Sequence, residues 1–87
     1  MAVYMADRCL PGITREDLEA AQRAAIATSQ RFTAQGKPVR YIHSIWVPSV
    51  AHVMSMFEAE NPQVVRDVNE AAGIPFTRII EVFDLVP

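Results

Sequence analysis

Residues 39–60, which read VRYIHSIWVPSVAHVMSMFEAE, constrain the fold more than any other stretch of the chain. Two apolar runs, rich in β-branched and aromatic residues, flank the segment Pro48-Ser49-Val50-Ala51, a pattern typical of a β-hairpin. Both histidines, the only tryptophan and two of the four methionines lie within it. The sequence therefore predicts a central hairpin that carries most of the side chains able to bind a ligand or a metal.

A strand and a helix are predicted before the hairpin. The apolar run from Ala2 to Asp7 predicts strand β1. Thr14 is the expected N-cap of the first helix, and Asp17, three residues later, completes a capping-box pattern. Gly36 and Pro38 are expected to end this helix, because neither residue favours a helix interior.

A second helix and a last strand are predicted after the hairpin. Asn61 followed by proline predicts a helix start, and Gly73 predicts its end. Arg78–Val86 is the expected strand β4, with Arg78 paired to an acidic neighbour. The resulting order β-α-β-β-α-β predicts an α+β fold of the ferredoxin-like type, with a four-stranded antiparallel sheet.

Composition bounds the class of protein. With 87 residues, the chain is expected to form one domain spanning residues 1–87. Its net charge is −2 and its eight basic residues are scattered, which argues against nucleic acid as a partner. The lone Cys9 excludes an internal disulfide, no signal peptide is predicted, and Tyr41–Phe57 is too short and polar to span a bilayer. We therefore expect a soluble, cytoplasmic protein without a membrane partner.

Both faces of the predicted sheet are apolar. If the turn places Val47 opposite His52, alternation assigns the hairpin side chains to two faces. One face then carries Ile42, Ser44, Trp46, Val53, Ser55, Phe57 and Ala59, and the other carries Val39, Tyr41, His43, Ile45, Val47, His52, Met54, Met56 and Glu58. Two helices can cover only one face, so we expect a second copy of the chain to cover the other in a twofold homodimer.

The second face carries the candidate site residues. In this register Glu58 lies opposite Tyr41 and diagonal to His43, and a carboxylate-oriented histidine can bind a metal or act as a base. Glu81, on β4, is expected to converge with Glu58 and add a second carboxylate. His52 lies roughly 13 Å from His43 along the strand, so it would bind an ion alone or with a second protomer. Packed interface histidines and solvent-exposed carboxylates are the structural alternatives.

Three segments, RCLPGIT, VRYIHSIWVPS and MFEAENPQVVRDVNEAAGIPFTRIIEV, resemble the DUF4242 family of small proteins. The resemblance covers nearly the whole chain, and AAGIPFTRIIEV is its most specific part. It implies a dimeric α+β barrel of ferredoxin-like protomers. Because the family includes members described as nickel-binding, it also implies nickel or another divalent transition metal as a ligand.

Three functions follow from these observations, and the sequence does not decide whether the protein is an enzyme. The first is a homodimeric protein that binds a nickel-like ion through His43, Glu58, Glu81 or His52. The second is a cofactor-independent monooxygenase or isomerase acting on a small apolar or aromatic ligand. In that enzyme His43 would be the base, and Tyr41 and Glu58 would orient it. The third is a structural dimer without a site.

Overall fold

The structure is a computed structural model that describes residues 1–87. It contains four strands and two helices, with a short 3-10 turn at Pro48–Val50 between the second and third strands. The elements are β1 (Ala2–Cys9), α1 (Arg15–Ala34), β2 (Val39–Val47), β3 (His52–Ala59), α2 (Pro62–Ala71) and β4 (Arg78–Val82). The antiparallel sheet has the order β2-β3-β1-β4, which confirms the predicted ferredoxin-like α+β fold.

The predicted helix boundaries have the expected chemistry. The Thr14 side chain accepts a hydrogen bond from the Asp17 backbone N–H at 3.0 Å, and the Asp17 carboxylate accepts one from the Thr14 N–H. Asn61 accepts from the Val64 N–H at 3.1 Å. Gly73 has a φ of 72°, a left-handed conformation that glycine adopts without strain, so it ends α2 as predicted.

Two strand lengths differ from the prediction. Strand β1 continues to Cys9, because it is a central strand whose residues pair with β3 along its full length. Strand β4 ends at Val82, because it lies at the sheet edge and pairs only with Val3–Asp7 of β1. Phe83 and the residues after it are exposed.

The hairpin has the predicted register near its turn. Val47 lies opposite His52, and the pairing continues without interruption to His43, which lies opposite Met56. The turn itself ends at Ala51, which has a φ of 55°. The assumed turn position was therefore right for this half of the hairpin.

A β-bulge changes the register in the other half. The pairing shifts between Tyr41 and His43, so Ile42 has no partner on β3. Tyr41 consequently lies opposite Phe57, and the prediction that it lies opposite Glu58 is wrong. One extra residue in a strand moves all residues beyond it to the opposite face relative to strict alternation.

Both helices pack on one side of the sheet and form the core with it. The buried core side chains are Tyr4, Ala6, Ala25, Val39, Phe57, Ala59, Val65, Val68, Ile74 and Ile79. Neither helix has the length and apolar character needed to span a membrane. The core fixes α1 and α2 over one face and leaves the other face without cover from this chain.

We call the uncovered side of the sheet the open face. Pairing and alternation place sixteen residues on it. They are Val3, Met5, Asp7, Cys9, Arg40, Ile42, His43, Ile45, Val47, His52, Met54, Met56, Glu58, Arg78, Ile80 and Val82. The opposite side, against which the helices pack, is called the helix side.

Candidate functional site

Asp7 is the centre of a charged cluster on the open face. Asp7 is only 5% exposed. One carboxylate oxygen is hydrogen-bonded to His52 Nε2, and the other accepts from Arg78 Nε at 3.0 Å. Arg78 therefore pairs with an acidic neighbour, as predicted. His52, the predicted turn histidine, is oriented by a carboxylate.

The environment of Asp7 lowers the pKa of its carboxyl group. Burial by itself raises this pKa, since it disfavours the charged form. The hydrogen bonds from His52 and Arg78, and the positive charges on these groups, outweigh burial and bring the pKa below the ordinary value of 3.8. Asp7 is therefore ionised at neutral pH and can hold both partners.

This shift gives a pH-dependent contribution to stability. Because the folded pKa lies below the unfolded one, Asp7 stabilises the fold above pH 3.8, and this contribution is lost as pH falls through the folded pKa. Thermal melts should show Asp7→Asn melting below the wild type at pH 7, with the difference shrinking below pH 3.8. Asp84→Asn, at an exposed carboxylate without an ion pair, is the control. A deficit for Asp7→Asn that stays constant in acid would contradict this account.

His43 lies in a groove on the open face. The groove has a volume of about 310 Å³ and is mostly apolar. Its lining comprises Val3, Met5, Ile42, His43, Ile45, Met54, Met56, Val82, Phe83 and Asp84. His43 is exposed, and its imidazole makes no hydrogen bond within the chain. No group of this chain therefore competes with a ligand for its ring nitrogens.

The two predicted carboxylates lie on opposite sides of the sheet. Glu58 is on the open face, half-buried, where its carboxylate accepts from Arg40 Nε at 3.4 Å. Glu81 is exposed and lies opposite Tyr4 on the helix side. The expected convergence of Glu58 and Glu81 is wrong, because their partners on β1 are the adjacent residues Val3 and Tyr4, which point to different faces.

Tyr41 lies on the helix side because of the bulge. Its hydroxyl accepts a hydrogen bond from Gln22 Nε2 at 3.0 Å and is 2.6 Å from Ser44 Oγ, which is 2.7 Å from Ser55 Oγ. The sheet thus separates Tyr41 from His43 and Glu58. The three residues predicted for the enzyme alternative do not form one catalytic group.

The donors on the open face do not form a complete metal site within one chain. No group of three or more His, Cys, Asp or Glu side chains is placed to hold an ion. The nearest approach to such a site is the pair Asp7 and His52, with Cys9 directly opposite His52. A single chain therefore supplies one isolated imidazole, that of His43, and one carboxylate–imidazole pair.

Sequence reasoning missed a buried cation on the helix side. Arg8 is 2% exposed and donates to the Asn69 Oδ1 at 3.0 Å and to the Pro75 carbonyl at 3.2 Å. Burial lowers the pKa of its guanidinium to about 10. The only signal was Asn69 itself, an amide that is buried in the second helix together with Val65 and Val68.

Arg8 lines a cavity between α1 and the sheet. The cavity has a volume of about 280 Å³. Its other lining residues are Arg15, Leu18, Glu19, Ala21, Gln22, Ala25, Tyr41, Ser44, Trp46, Ser55 and Ile74. We call it the helix-side cavity. It is separated by the sheet from the groove around His43.

These features define a small ferredoxin-like α+β protein with histidine and carboxylate groups on an uncovered sheet face. A family model described as nickel responsive protein SCO4226-like matches residues 4–82. The chain therefore belongs to the SCO4226-like family.

A solved structure shares this fold. The crystal structure of SCO4226 from Streptomyces coelicolor A3(2) matches with a TM-score of 0.83. The two sequences are 23% identical, and the match covers 98% of this chain and 100% of the other. This likeness supports the fold. No curated protein matches the sequence.

Proposed function

We propose that the protein is a homodimer that binds a nickel-like divalent ion on its open face. The observation that carries this proposal is membership in a family described as nickel responsive. The resemblance of AAGIPFTRIIEV and the other motifs to the DUF4242 proteins, some of them described as nickel-binding, supports it further. The residues on the open face supply donor types that suit such an ion, since imidazole binds nickel well.

The dimer is proposed from the apolar character of the open face. Ile45 is 48% exposed there, and Val47, Met54 and Met56 are at most partly covered. A contiguous apolar surface of this kind is unusual on a monomer. Twofold pairing of two open faces would bury both surfaces and complete an α+β barrel.

The dimer also addresses the shortage of donors in one chain. A twofold axis presents every donor twice, so two His43 imidazoles could approach one ion. Glu58 would offer a carboxylate on the same face. His52 is a further candidate, because Asp7 binds its Nε2 and leaves Nδ1 for a metal, an arrangement common among metal-bound histidines. Glu81 is omitted from this site since it lies on the helix side.

Native mass spectrometry of untagged protein, with and without nickel or zinc, tests the proposal. We expect a dimer that takes up a defined number of ions, and His43→Ala should weaken uptake at least about tenfold. His52→Ala tests the second imidazole. Glu81→Gln is the matched control, because it removes a predicted ligand that the fold places on the other side of the sheet.

The outcomes separate metal binding from the other two functions. Loss of uptake in His43→Ala but not in Glu81→Gln supports the proposal. A wild-type dimer that binds neither nickel nor zinc contradicts it and favours the enzyme or the dimer without a site. Unchanged uptake by both histidine variants would remove His43 and His52 from the metal site.

A further inference from the structure

We propose that the helix-side cavity binds a small organic anion, with a carboxylate against Arg8 and an apolar body against α1. The proposal is independent of metal binding, because this cavity and the groove around His43 lie on opposite sides of the sheet. It assigns a ligand class to residues that neither the open face nor the dimer uses.

Arg8 carries a buried positive charge that no carboxylate of the chain balances. A buried cation is costly unless an anion and hydrogen bonds compensate for its lost hydration. Arg8 has two neutral acceptors, the Asn69 amide and the Pro75 carbonyl, but no ion pair with a carboxylate. A guanidinium carries five N–H groups, so it retains donors for a further ligand. The missing anion is the ligand that this cavity is best suited to bind.

Neutral polar groups line the cavity beside Arg8. The hydroxyls of Tyr41, Ser44 and Ser55 form a continuous chain and line the cavity. Trp46 lines it too, and its buried indole N–H has no hydrogen-bond acceptor in the chain. Buried donors without acceptors are rare in proteins. This N–H has no exposed surface, so it lies behind the cavity wall, and the polar groups that the cavity offers beside Arg8 are the three hydroxyls.

The apolar part of the cavity lining indicates that the rest of the ligand, beyond its carboxylate, is apolar. Leu18, Ala21 and Ala25 of α1 face the cavity together with Ile74. The volume of about 280 Å³ corresponds to roughly nine water molecules at about 30 Å³ each. This space suits a small ring or branched chain with one carboxylate better than a bare inorganic anion, which would leave the apolar wall in contact with water.

One acidic side chain, that of Glu19, lines the cavity. Glu19 is exposed and forms an ion pair with Arg15 at 3.9 Å, one turn away on the same helix. It forms no ion pair or hydrogen bond with Arg8. The pair lies at the exposed edge of the cavity, so it leaves the buried guanidinium without a counter-ion.

The fluorescence of Trp46, the only tryptophan of the chain, can report binding in the cavity. Because Trp46 lines the cavity, titration with sodium benzoate should change its fluorescence in a saturable way. Benzamide has the same shape without the charge and should have little effect. Sodium phosphate tests the bare anion. Saturation with benzoate and not with benzamide or phosphate is the expected result.

Two variants locate the site. Arg8→Met combined with Asn69→Leu removes the cation together with its buried partner, so that of the two acceptors only the carbonyl of the exposed residue Pro75 remains. This double variant should raise the dissociation constant for benzoate at least about tenfold. Ala21→Phe fills the cavity without changing charge and should have a similar effect. Ala27→Phe, on the exposed side of the same helix, is the control. If the double variant does not fold, Ala21→Phe still tests the location.

Four results would contradict the proposed ligand or its location. Absence of a saturable change with benzoate overturns the proposal, as does an equal response to benzamide. Saturation with phosphate alone would overturn the organic part of the ligand. A benzoate response that survives Ala21→Phe would place the ligand elsewhere.

Discussion

Replacing Asn69 with leucine is expected to lower the free energy of unfolding by about 1.5–3 kcal/mol, the usual range for a hydrogen bond to a charged group. Asn69 is fully buried, and its Oδ1 accepts from Arg8 at 3.0 Å. Leucine has a similar size, so packing changes little while the guanidinium loses an acceptor. A domain of this size has a total stability of only roughly 4–13 kcal/mol, so the loss should be large in urea titrations.

The double variant Arg8→Met/Asn69→Leu separates this cause from general damage to the core. Replacing both buried partners with apolar groups is often neutral or stabilising, so the double variant should recover most of the loss. Gln63→Leu, at an exposed position of the same helix, should change stability by about 0.5 kcal/mol or less. If the double variant is less stable than Asn69→Leu, the buried charge is not the reason for the effect.

Replacing Ile45 with aspartate is expected to convert the proposed dimer to a monomer. Ile45 lies on the open face and is 48% exposed in one chain, so the single chain tolerates a charge there. In the dimer two unpaired carboxylates would be buried near the twofold axis, at a cost of several kcal/mol. A cost of about 2.7 kcal/mol already weakens association about a hundredfold. Sedimentation velocity and light scattering measure the change.

Ile26→Asp is the matched control for this variant. Ile26 is 38% exposed on α1, which packs on the helix side of the sheet, so the same substitution there should leave the dimer intact. Far-UV circular dichroism should be unchanged for both variants. A wild type that is monomeric at micromolar concentration would contradict the proposed dimer, and so would an Ile45→Asp variant that remains dimeric.

The local signals predicted the fold because each has a cause within a few residues. Thr14 with Asp17, and Asn61 with the following proline, satisfy the free N–H groups of a helix start wherever the helix lies. The turn at Ser49 and Val50 fixed the register of the adjacent strands. These signals, together with the element order, were enough to predict a ferredoxin-like sheet.

The bulge at Ile42 could not be predicted in the same way. No glycine or proline marks it, and because both faces of the strand are largely apolar, the sequence pattern does not show where the alternation shifts. Its effect on the candidate site was nevertheless large. Tyr41 moved from the proposed catalytic group to the helix-side cavity, and Arg40 took its place opposite Glu58.

The polar contacts that matter most join residues far apart in the chain. Arg8 contacts Asn69 and Pro75, and Asp7 contacts His52 and Arg78. Spacing rules for helices and strands describe neighbours within one element, so they do not report such pairs. The family resemblance indicated a metal-related function, but it could not reveal a buried arginine on the opposite side of the sheet.

The bulge has a consequence for comparing this chain with its relatives. Ile42 is a surplus residue, because Tyr41 and His43 already pair with the consecutive residues Phe57 and Met56 of β3. A relative one residue shorter in β2 could pair the two strands continuously and keep every other side chain on the same face. A gap at this position in an alignment would then reflect a β2 strand that is one residue shorter, with the same sheet and the same two faces.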